Sequence, residues 1–154
     1  MKIKIISFGK FKSSQAYEQI FNYYKKRVSI DTELVELKGS KGPSKLLKEK
    51  KEIIKYLNKD EYTFVLDSCG ETMTSEKFSE LIFKQYIDGF KTINFLIGSE
   101  VGLVSEIKKS FVCLSFGNFT WPHLLVRVML IEQIYRALEI RKNTNYHKKS
   151  NINE

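Results

Sequence analysis

Hydrophobic and polar residues follow one another along this chain in a pattern that predicts strands separated by helices. Short segments rich in β-branched and aromatic residues are typical of strands buried in a sheet. Five such segments occur, at residues 2–8, 32–37, 62–66, 92–97 and 111–115. Each is bounded by polar or glycine-containing sequence, which favours separate strands over one long apolar element.

The segments between these strands carry apolar residues at the spacing of amphipathic helices. They cover residues 13–28, 43–57, 75–87, a short piece at 104–109, and 122–141. Pro122 suits the first turn of the last helix, where an N–H donor has no partner inside the helix. Strands separated by helices predict an α/β fold with a mostly parallel sheet covered by helices on both faces.

The length of 154 residues suits a single domain spanning 1–154. Its end, 143–154, is polar, and we expect this tail to be partly disordered, although Tyr146 is an unusual residue to leave in water. The longest apolar run, 124–131, is interrupted by Arg127 and is far shorter than the roughly 20 residues of a membrane helix. The first residues alternate like a strand and lack the apolar core of a signal peptide. We therefore expect a cytoplasmic protein with no membrane partner.

Charge and cysteine content narrow the chemistry only in part. The net charge of +8 favours a polyanionic partner, but a solvated lysine-rich surface explains it equally well. Cys69 and Cys113 are too far apart for a paired motif, and Cys113 in its apolar strand is expected to be a buried, inert thiol. The two histidines, His123 and His147, form no metal-ligand cluster with them, so we expect no metal.

Three loops follow predicted strands, at 67–70, 98–102 and 116–121. Ligands of parallel sheets bind beyond the carboxyl ends of the strands, so these loops are the candidate binding segments. The two glycines in 98–102 do not have the spacing of a dinucleotide fingerprint, and a simple turn is the favoured interpretation. Loop 116–121 could present backbone groups and aromatic walls to a purine. An ordinary connection with its aromatics packed on the core is the simpler alternative.

The last helix carries Arg127 on an apolar face, next to Leu130 and Ile131. Burying an unpaired guanidinium is costly, so this side chain must find an anion or several acceptors. A structural pair, a subunit contact and a substrate clamp are all compatible with the sequence. His123, at the start of the helix, is expected to stay neutral because the helix dipole disfavours its protonation.

The same helix predicts two further contacts. Glu132 and Arg136 have the favourable spacing for an ion pair on a solvated face. Around most of its circumference the helix is apolar, so it must be buried within the chain or covered by a partner. Its apolar surface exceeds what one side of a sheet readily covers, which predicts a homodimer.

A series of short motifs runs along the whole chain. An opening strand ends in a Gly-Lys turn at 5–10. In the second half, the motifs are LIG at 96–98, LSF at 114–116, PH at 122–123, VRV at 126–128, IEQ at 131–133, YRA at 135–137 and YHK at 146–148. Each motif is weak by itself, but their order and spacing together are specific, and they resemble the ribosomal RNA large-subunit methyltransferase H family, a branch of the SPOUT methyltransferases.

The resemblance implies a SPOUT α/β fold with a C-terminal trefoil knot, which periodicity would never predict because knots are rare. It implies S-adenosyl-L-methionine as cofactor and a homodimer with the active site near the interface. It also implies methylation at N3 of a pseudouridine in large-subunit (23S) ribosomal RNA, with free RNA or the assembled ribosome as partner. Two alternatives stay open: a SPOUT methyltransferase acting on another RNA such as tRNA, and a non-catalytic basic protein that binds RNA or ribosomes.

The resemblance also implies site residues. The cofactor contacts would be Leu66, Gly98, Phe116, Gly117, Asn118, Phe119, Thr120 and Trp121. The catalytic group around the methyl acceptor would be Arg127, Arg136, Tyr146 and His147. The reaction is an in-line methyl transfer from a sulfonium to an imide nitrogen, so it requires positioning, removal of the N3 proton and stabilisation of the resulting anion.

Overall fold

The structure is a computed structural model that describes residues 1–148. Its strands are β1 (Lys2–Phe8), β2 (Asp31–Leu37), β3 (Tyr62–Thr72), β4 (Thr92–Ile97) and β5 (Val112–Ser115). Its α-helices are α1 (Gln15–Lys25), α2 (Lys45–Ile54), α3 (Ser75–Ile87), α4 (Ser105–Ser110) and α5 (His123–Arg141). Every predicted strand and helix is present. Of the predicted tail, residues 149–154 lie outside the described part.

The five strands form one sheet in the order β2-β1-β4-β3-β5, and each neighbouring pair is parallel. Alternate residues of the central strands point to opposite faces. Ile5 and Phe95 belong to a core beneath α1, α3 and α5, whereas Ile6 and Leu96 belong to a second core with residues of α2 and α4. This arrangement confirms the predicted α/β fold with helices on both faces. The trefoil knot is a property of chain threading rather than of strand order, and it stays a prediction.

Strand β3 is longer than the sequence predicts. Both Leu66 and Glu71 align with Leu114 of β5, so residues 67–70 form a bulge instead of a free loop. The two backbones come unusually close here, because a Cβ on Gly70 would lie 2.6 Å from the carbonyl carbon of Leu114. The bulge turns residues 67–69 towards the carboxyl end of the sheet, where the other two candidate loops also lie.

Helix α5 is covered within a single chain. It packs between α1 and α3, and eight of its residues are buried, including Leu130, Ile131 and Ile134. Arg141 is its exposed residue. The apolar surface of α5 therefore needs no partner to cover it, and the homodimer stays a prediction that rests on the resemblance. Within residues 1–148 no helix is long and apolar enough to span a bilayer.

Candidate active site

A cavity of about 630 Å³ lies beyond the carboxyl ends of β3, β4 and β5. All three predicted segments contribute to its walls, and His123 and Val126 of α5 close one side. Seven of the eight residues predicted to contact the cofactor line this cavity, namely Leu66, Gly98, Phe116, Gly117, Phe119, Thr120 and Trp121. Asn118 does not line it. The structure thus brings together segments that are about 50 residues apart in sequence.

Loop 98–102 is a tight turn against the cavity. The Gly102 N–H donates to the Ser99 carbonyl at 2.9 Å, and a Cβ on Gly98 would lie 2.8 Å from the Gly102 backbone. Gly102 itself has a φ of +78°, which few other residues adopt. The turn predicted from the sequence is therefore correct, and the same turn forms part of the cavity wall.

The simpler alternative, in which the aromatics of loop 116–121 pack on the core, holds for Phe116 but not for Phe119 and Trp121. Phe119 is 76% exposed and Trp121 is 39% exposed, with their ring centroids 6.0 Å apart at the rim of the cavity. At the start of the loop, the Ser115 hydroxyl accepts the Gly117 N–H at 3.1 Å. Exposed aromatic rings beside a cavity are typical of a binding surface rather than of a structural connection.

A second cavity of about 610 Å³ lies on the other side of the 115–117 segment. It shares Leu66 and Leu114 with the first cavity, and its remaining walls come from α1, α5 and the segment that joins β3 to α3. Glu132 of α5 supplies a carboxylate to a lining that is otherwise uncharged. Two cavities with a common wall can hold two reactants next to each other.

The Glu132 carboxylate organises the residues predicted to surround the methyl acceptor. Arg136 donates to it through Nε at 3.0 Å and Nη2 at 2.5 Å, and the Tyr146 hydroxyl donates at 3.0 Å. The ion pair was predicted on a solvated face, but both side chains are largely buried and Glu132 lines the second cavity. Burial, together with hydrogen bonds to Tyr24 and Glu132, raises the pKa of Tyr146, so its hydroxyl stays protonated and donates to Glu132.

His147 completes this cluster from the tail. Its Nε2 lies 2.9 Å from a carboxylate oxygen of Glu76 on α3, and its Nδ1 lies 3.4 Å from Nη1 of Arg136. The hydrogen bond from His147 lowers the pKa of Glu76 to about 2, so this carboxylate stays charged. Arg136, Tyr146 and His147 are thus in one place. No sequence pattern points to Glu76, which is simply an acidic residue in the first turn of a helix.

Arg127 is not part of this cluster. It is fully buried, and it donates to Glu36 at 3.2 Å and to the carbonyls of Phe8 and Gly9. Nine residues of helix, or about 13 Å, separate it from Arg136. Of the three roles compatible with the sequence, the contacts are those of a structural pair that ties α5 to the ends of β1 and β2.

His123 lies between Arg127 and the first cavity. Burial lowers its pKa below that of a free imidazole, and the nearby charge of Arg127 lowers it further. The side chain is therefore neutral at physiological pH, as the sequence predicts. The larger cause is burial, however, rather than the helix dipole on which the prediction relied.

Comparisons with known proteins identify the family of this chain. A family described as predicted SPOUT methyltransferases matches residues 1–147. The ribosomal RNA large subunit methyltransferase H of Streptococcus sanguinis is 38% identical, and the alignment covers 96% of this chain and all of the relative. The proteins of the same name from Enterococcus faecalis and Streptococcus uberis are 38% and 40% identical over the same shares.

Solved structures support the fold. A probable methylase family protein from Haemophilus influenzae superposes with a TM-score of 0.54 at 11% identity, covering 96% of this chain and 70% of that one. A structure from work on 2-OH methylation of C/U34 on tRNA superposes with a TM-score of 0.51, also at 11% identity, covering 89% of this chain and 91% of that one. With the sequence matches over nearly the whole length, the chain belongs to the SPOUT methyltransferases, in the ribosomal RNA large subunit methyltransferase H family.

Proposed function

We propose that this methyltransferase uses S-adenosyl-L-methionine to methylate N3 of a pseudouridine in 23S ribosomal RNA, in the cytoplasm and as a homodimer. The observation that carries the proposal is the pair of cavities with a common wall. One is lined by the residues that the family resemblance assigns to the cofactor. The other adjoins the cluster of Arg136, Tyr146 and His147 around Glu132.

The first cavity suits the cofactor in size and chemistry. Ligand pockets commonly have volumes of about 300–1,000 Å³ with mainly apolar walls and a few polar groups. Leu103, Leu114 and Val126 provide apolar wall, while loops 98–102 and 115–121 bring backbone groups to the rim. When bound, the cofactor supplies a methyl group on a positively charged sulfur. The residues that would hold it are Leu66, Gly98 and those of loop 116–121.

The second cavity suits a nucleobase. Phe78, Phe116 and Met129 provide apolar and aromatic surface, and proteins stack unpaired RNA bases on such side chains. An imide base that enters it would meet the charged and hydrogen-bonding groups of the tail cluster. In this proposal Arg136 stabilises the anion that forms when N3 loses its proton. His147 takes that proton as the general base, and the Tyr146 hydroxyl turns its hydrogen bond from Glu132 to the nucleobase.

The role of Arg127 differs from the one that the resemblance implies. Its complete burial and its three acceptors support a positioning role, in which it holds α5 against β1 and β2. His123 and Val126, which line the first cavity, precede it on the same helix. An effect of Arg127 on methyl transfer would then act through the placement of α5.

The homodimer is proposed on the resemblance and on the position of the second cavity. That cavity opens between α1 and α5, and its rim includes Ile20, which is 45% exposed. A second chain seated there would cover this apolar rim and narrow the entrance. Light scattering at micromolar concentration should give twice the 18.0 kDa mass of one chain. A mass of 18.0 kDa throughout that range would contradict the dimer.

Titration calorimetry with S-adenosyl-L-methionine tests the cofactor part of the proposal. We expect saturable binding to one site per chain, and loss of that binding in Gly98→Val, whose side chain would collide with the Gly102 backbone. Ile87→Ala is the control, because Ile87 is 70% exposed at the end of α3 and lines neither cavity. A folded wild-type protein that gives no heat at millimolar cofactor would favour the RNA-binding alternative.

A further inference from the structure

Helix α2 places a buried carboxylate behind the first cavity. Glu49 is 2% exposed, and its two oxygens have separate partners. One accepts the Ser99 hydroxyl at 2.8 Å and the other accepts the Ser40 N–H at 3.2 Å, with the Lys45 ammonium 3.8 Å from the latter oxygen. Glu49 therefore joins the loop before α2 to the loop after β4, which is 50 residues further along the chain than Glu49 itself.

Loop 98–102 has a second connection to the same helix. Lys45, one turn before Glu49, forms an ion pair with Glu100 at the tip of the turn. The loop is thus attached at two adjacent positions, one buried and one at the surface. Between them the turn is closed by its own hydrogen bond from Gly102 to Ser99.

The side-chain hydrogen bonds and ion pairs that connect helix α2 to the wall of the first cavity all go to this loop. Among the described residues, those lining the cavity include all of 98–102 and no member of α2. Burying a carboxylate between a helix and a loop has a large desolvation cost, and well-packed apolar side chains often stabilise the folded state as much. What the carboxylate adds is direction, because each oxygen fixes one donor at a hydrogen-bonding distance.

We propose that Glu49 is a positioning residue, which with Ser99 and Lys45 holds loop 98–102 in the shape that binds the methyl donor. The inference rests on the proposed function, because it assigns the cofactor to the first cavity. A loop fixed before binding loses little conformational freedom when the ligand arrives, so its rigidity contributes to affinity. Loosening the loop should then weaken cofactor binding more than it slows the chemical step.

The test compares Glu49→Gln and Ser99→Ala with the wild-type protein by calorimetry and steady-state methyl transfer. Ser99→Ala removes the donor of the buried hydrogen bond, and Glu49→Gln removes the negative charge and replaces one of the two acceptor oxygens by a donor. We expect the Kd and KM for S-adenosyl-L-methionine to rise about tenfold in each, with kcat at saturating cofactor within about twofold. The double variant should be no worse than about the stronger single variant, because both changes break one interaction.

Glu61→Gln is the matched control. Its carboxylate is also mostly buried, accepting from Asn94 at 3.0 Å and pairing with Lys4, but it lies at the opposite end of the sheet. It should lower the free energy of unfolding without changing the cofactor Kd. Ser99→Ala decides the question if Glu49→Gln does not fold, because it removes only a hydroxyl.

Two outcomes separate this inference from the proposed function. If the wild-type protein binds the cofactor and Ser99→Ala binds it with the same Kd and KM, the positioning role is overturned while the function stands. If kcat falls with an unchanged Kd, the positioning role is overturned as well. A folded wild-type protein that binds no cofactor would overturn the proposed function and this inference together.

Discussion

The two arginines of α5 show how far single residues can be interpreted from the sequence. Arg127 on an apolar face had to find acceptors, and it does so through Glu36 and two carbonyls at the end of β1. Those partners come from about 90 to 120 residues away, so the sequence could predict the need but not the solution. The sequence predicts Arg136 as half of a surface ion pair with Glu132. Its contact with His147 of the tail could not be predicted from the pattern, because that contact depends on how the chain folds back after α5.

Substitution of Arg127 should therefore mainly lower stability, whereas substitution of Arg136 should mainly lower methyl transfer. Arg127→Met leaves Glu36 and the Phe8 carbonyl without their buried partner, and we expect the free energy of unfolding to fall by about 3 kcal/mol or more. Arg136→Met should cost less, about 1–2 kcal/mol, because Glu132 keeps its hydrogen bonds from Tyr146 and Gln133. Methyl transfer should fall about 100-fold in Arg136→Met. Urea unfolding and a methyl-transfer assay measure the two quantities. Equal losses of stability in the two variants would contradict a structural role for Arg127 and an active-site role for Arg136.

His123 predicts a pH dependence of stability. Its pKa is lowered in the folded chain, so below about pH 6.5 the unfolded chain binds a proton that the folded chain resists. The free energy of unfolding should then decrease as the pH falls below 6.5, and the contribution of His123 should be complete above it. We expect His123→Gln to lose less stability than the wild-type protein between pH 7.5 and 5.5. Parallel urea titrations with identical pH slopes would count against a buried neutral imidazole.

At the scale of elements, the sequence predicts strand cores well and their ends less well. The apolar segment 62–66 marks the buried part of β3, but its continuation to Thr72 is polar and pairs only because β5 lies beside it. Pairing of this kind depends on a partner some 45 residues away, which local periodicity does not report. The bulge at 67–70 is a consequence of that pairing.

Gly70 should be the least replaceable residue of the bulge. An alanine Cβ there would lie 2.6–2.7 Å from the backbone of β5, so β3 and β5 would have to separate. We expect Gly70→Ala to lower the free energy of unfolding by about 3 kcal/mol. Gly39→Ala, with its nearest contact at 3.8 Å, should change it by less than about 1 kcal/mol. Thermal unfolding of both variants tests this, and a Gly70→Ala protein as stable as the control would refute the close approach.

The contacts of the tail are not those that its polar composition predicts. Residues 143–148 are polar, yet Tyr146 packs edge-on against Tyr135 with ring centroids 4.7 Å apart, and His147 bridges Glu76 and Arg136. A chain ending at Asn145 should still fold and bind the cofactor, because neither side chain belongs to the core or to the first cavity. It should lose most methyl transfer. Near-full activity of the shortened chain would remove Tyr146 and His147 from the mechanism.

At the scale of the whole molecule, the alternation of strands and helices predicts the parallel sheet but not the strand order. Placing β4 between β1 and β3 requires crossovers that leave no local trace in the sequence. The cofactor cavity could nevertheless be anticipated, because ligands of parallel sheets bind at the carboxyl ends of strands. The second cavity could not, since α1, α5 and the start of α3 meet only in the folded chain.

The net charge of +8 also acts at this scale. If the partner is RNA, each phosphate neutralised releases counterions, so affinity must fall as salt rises. We expect the Kd for a large-subunit RNA fragment to rise at least tenfold between 50 and 200 mM salt, while the Kd for the cofactor changes little. Filter binding across this range measures the first quantity. A salt-independent RNA affinity would mean that the basic surface is only solvated.

The most direct test of the central claim is to map where the methyl group goes. Purified protein and labelled S-adenosyl-L-methionine are incubated with ribosomes and transfer RNA from cells that lack this enzyme, and each RNA is digested for mass analysis. We expect one labelled methyl group at N3 of a pseudouridine in 23S RNA, reduced about 100-fold with the Arg136→Met protein. Label in transfer RNA instead, or no label in any RNA from a protein that binds the cofactor, would contradict it.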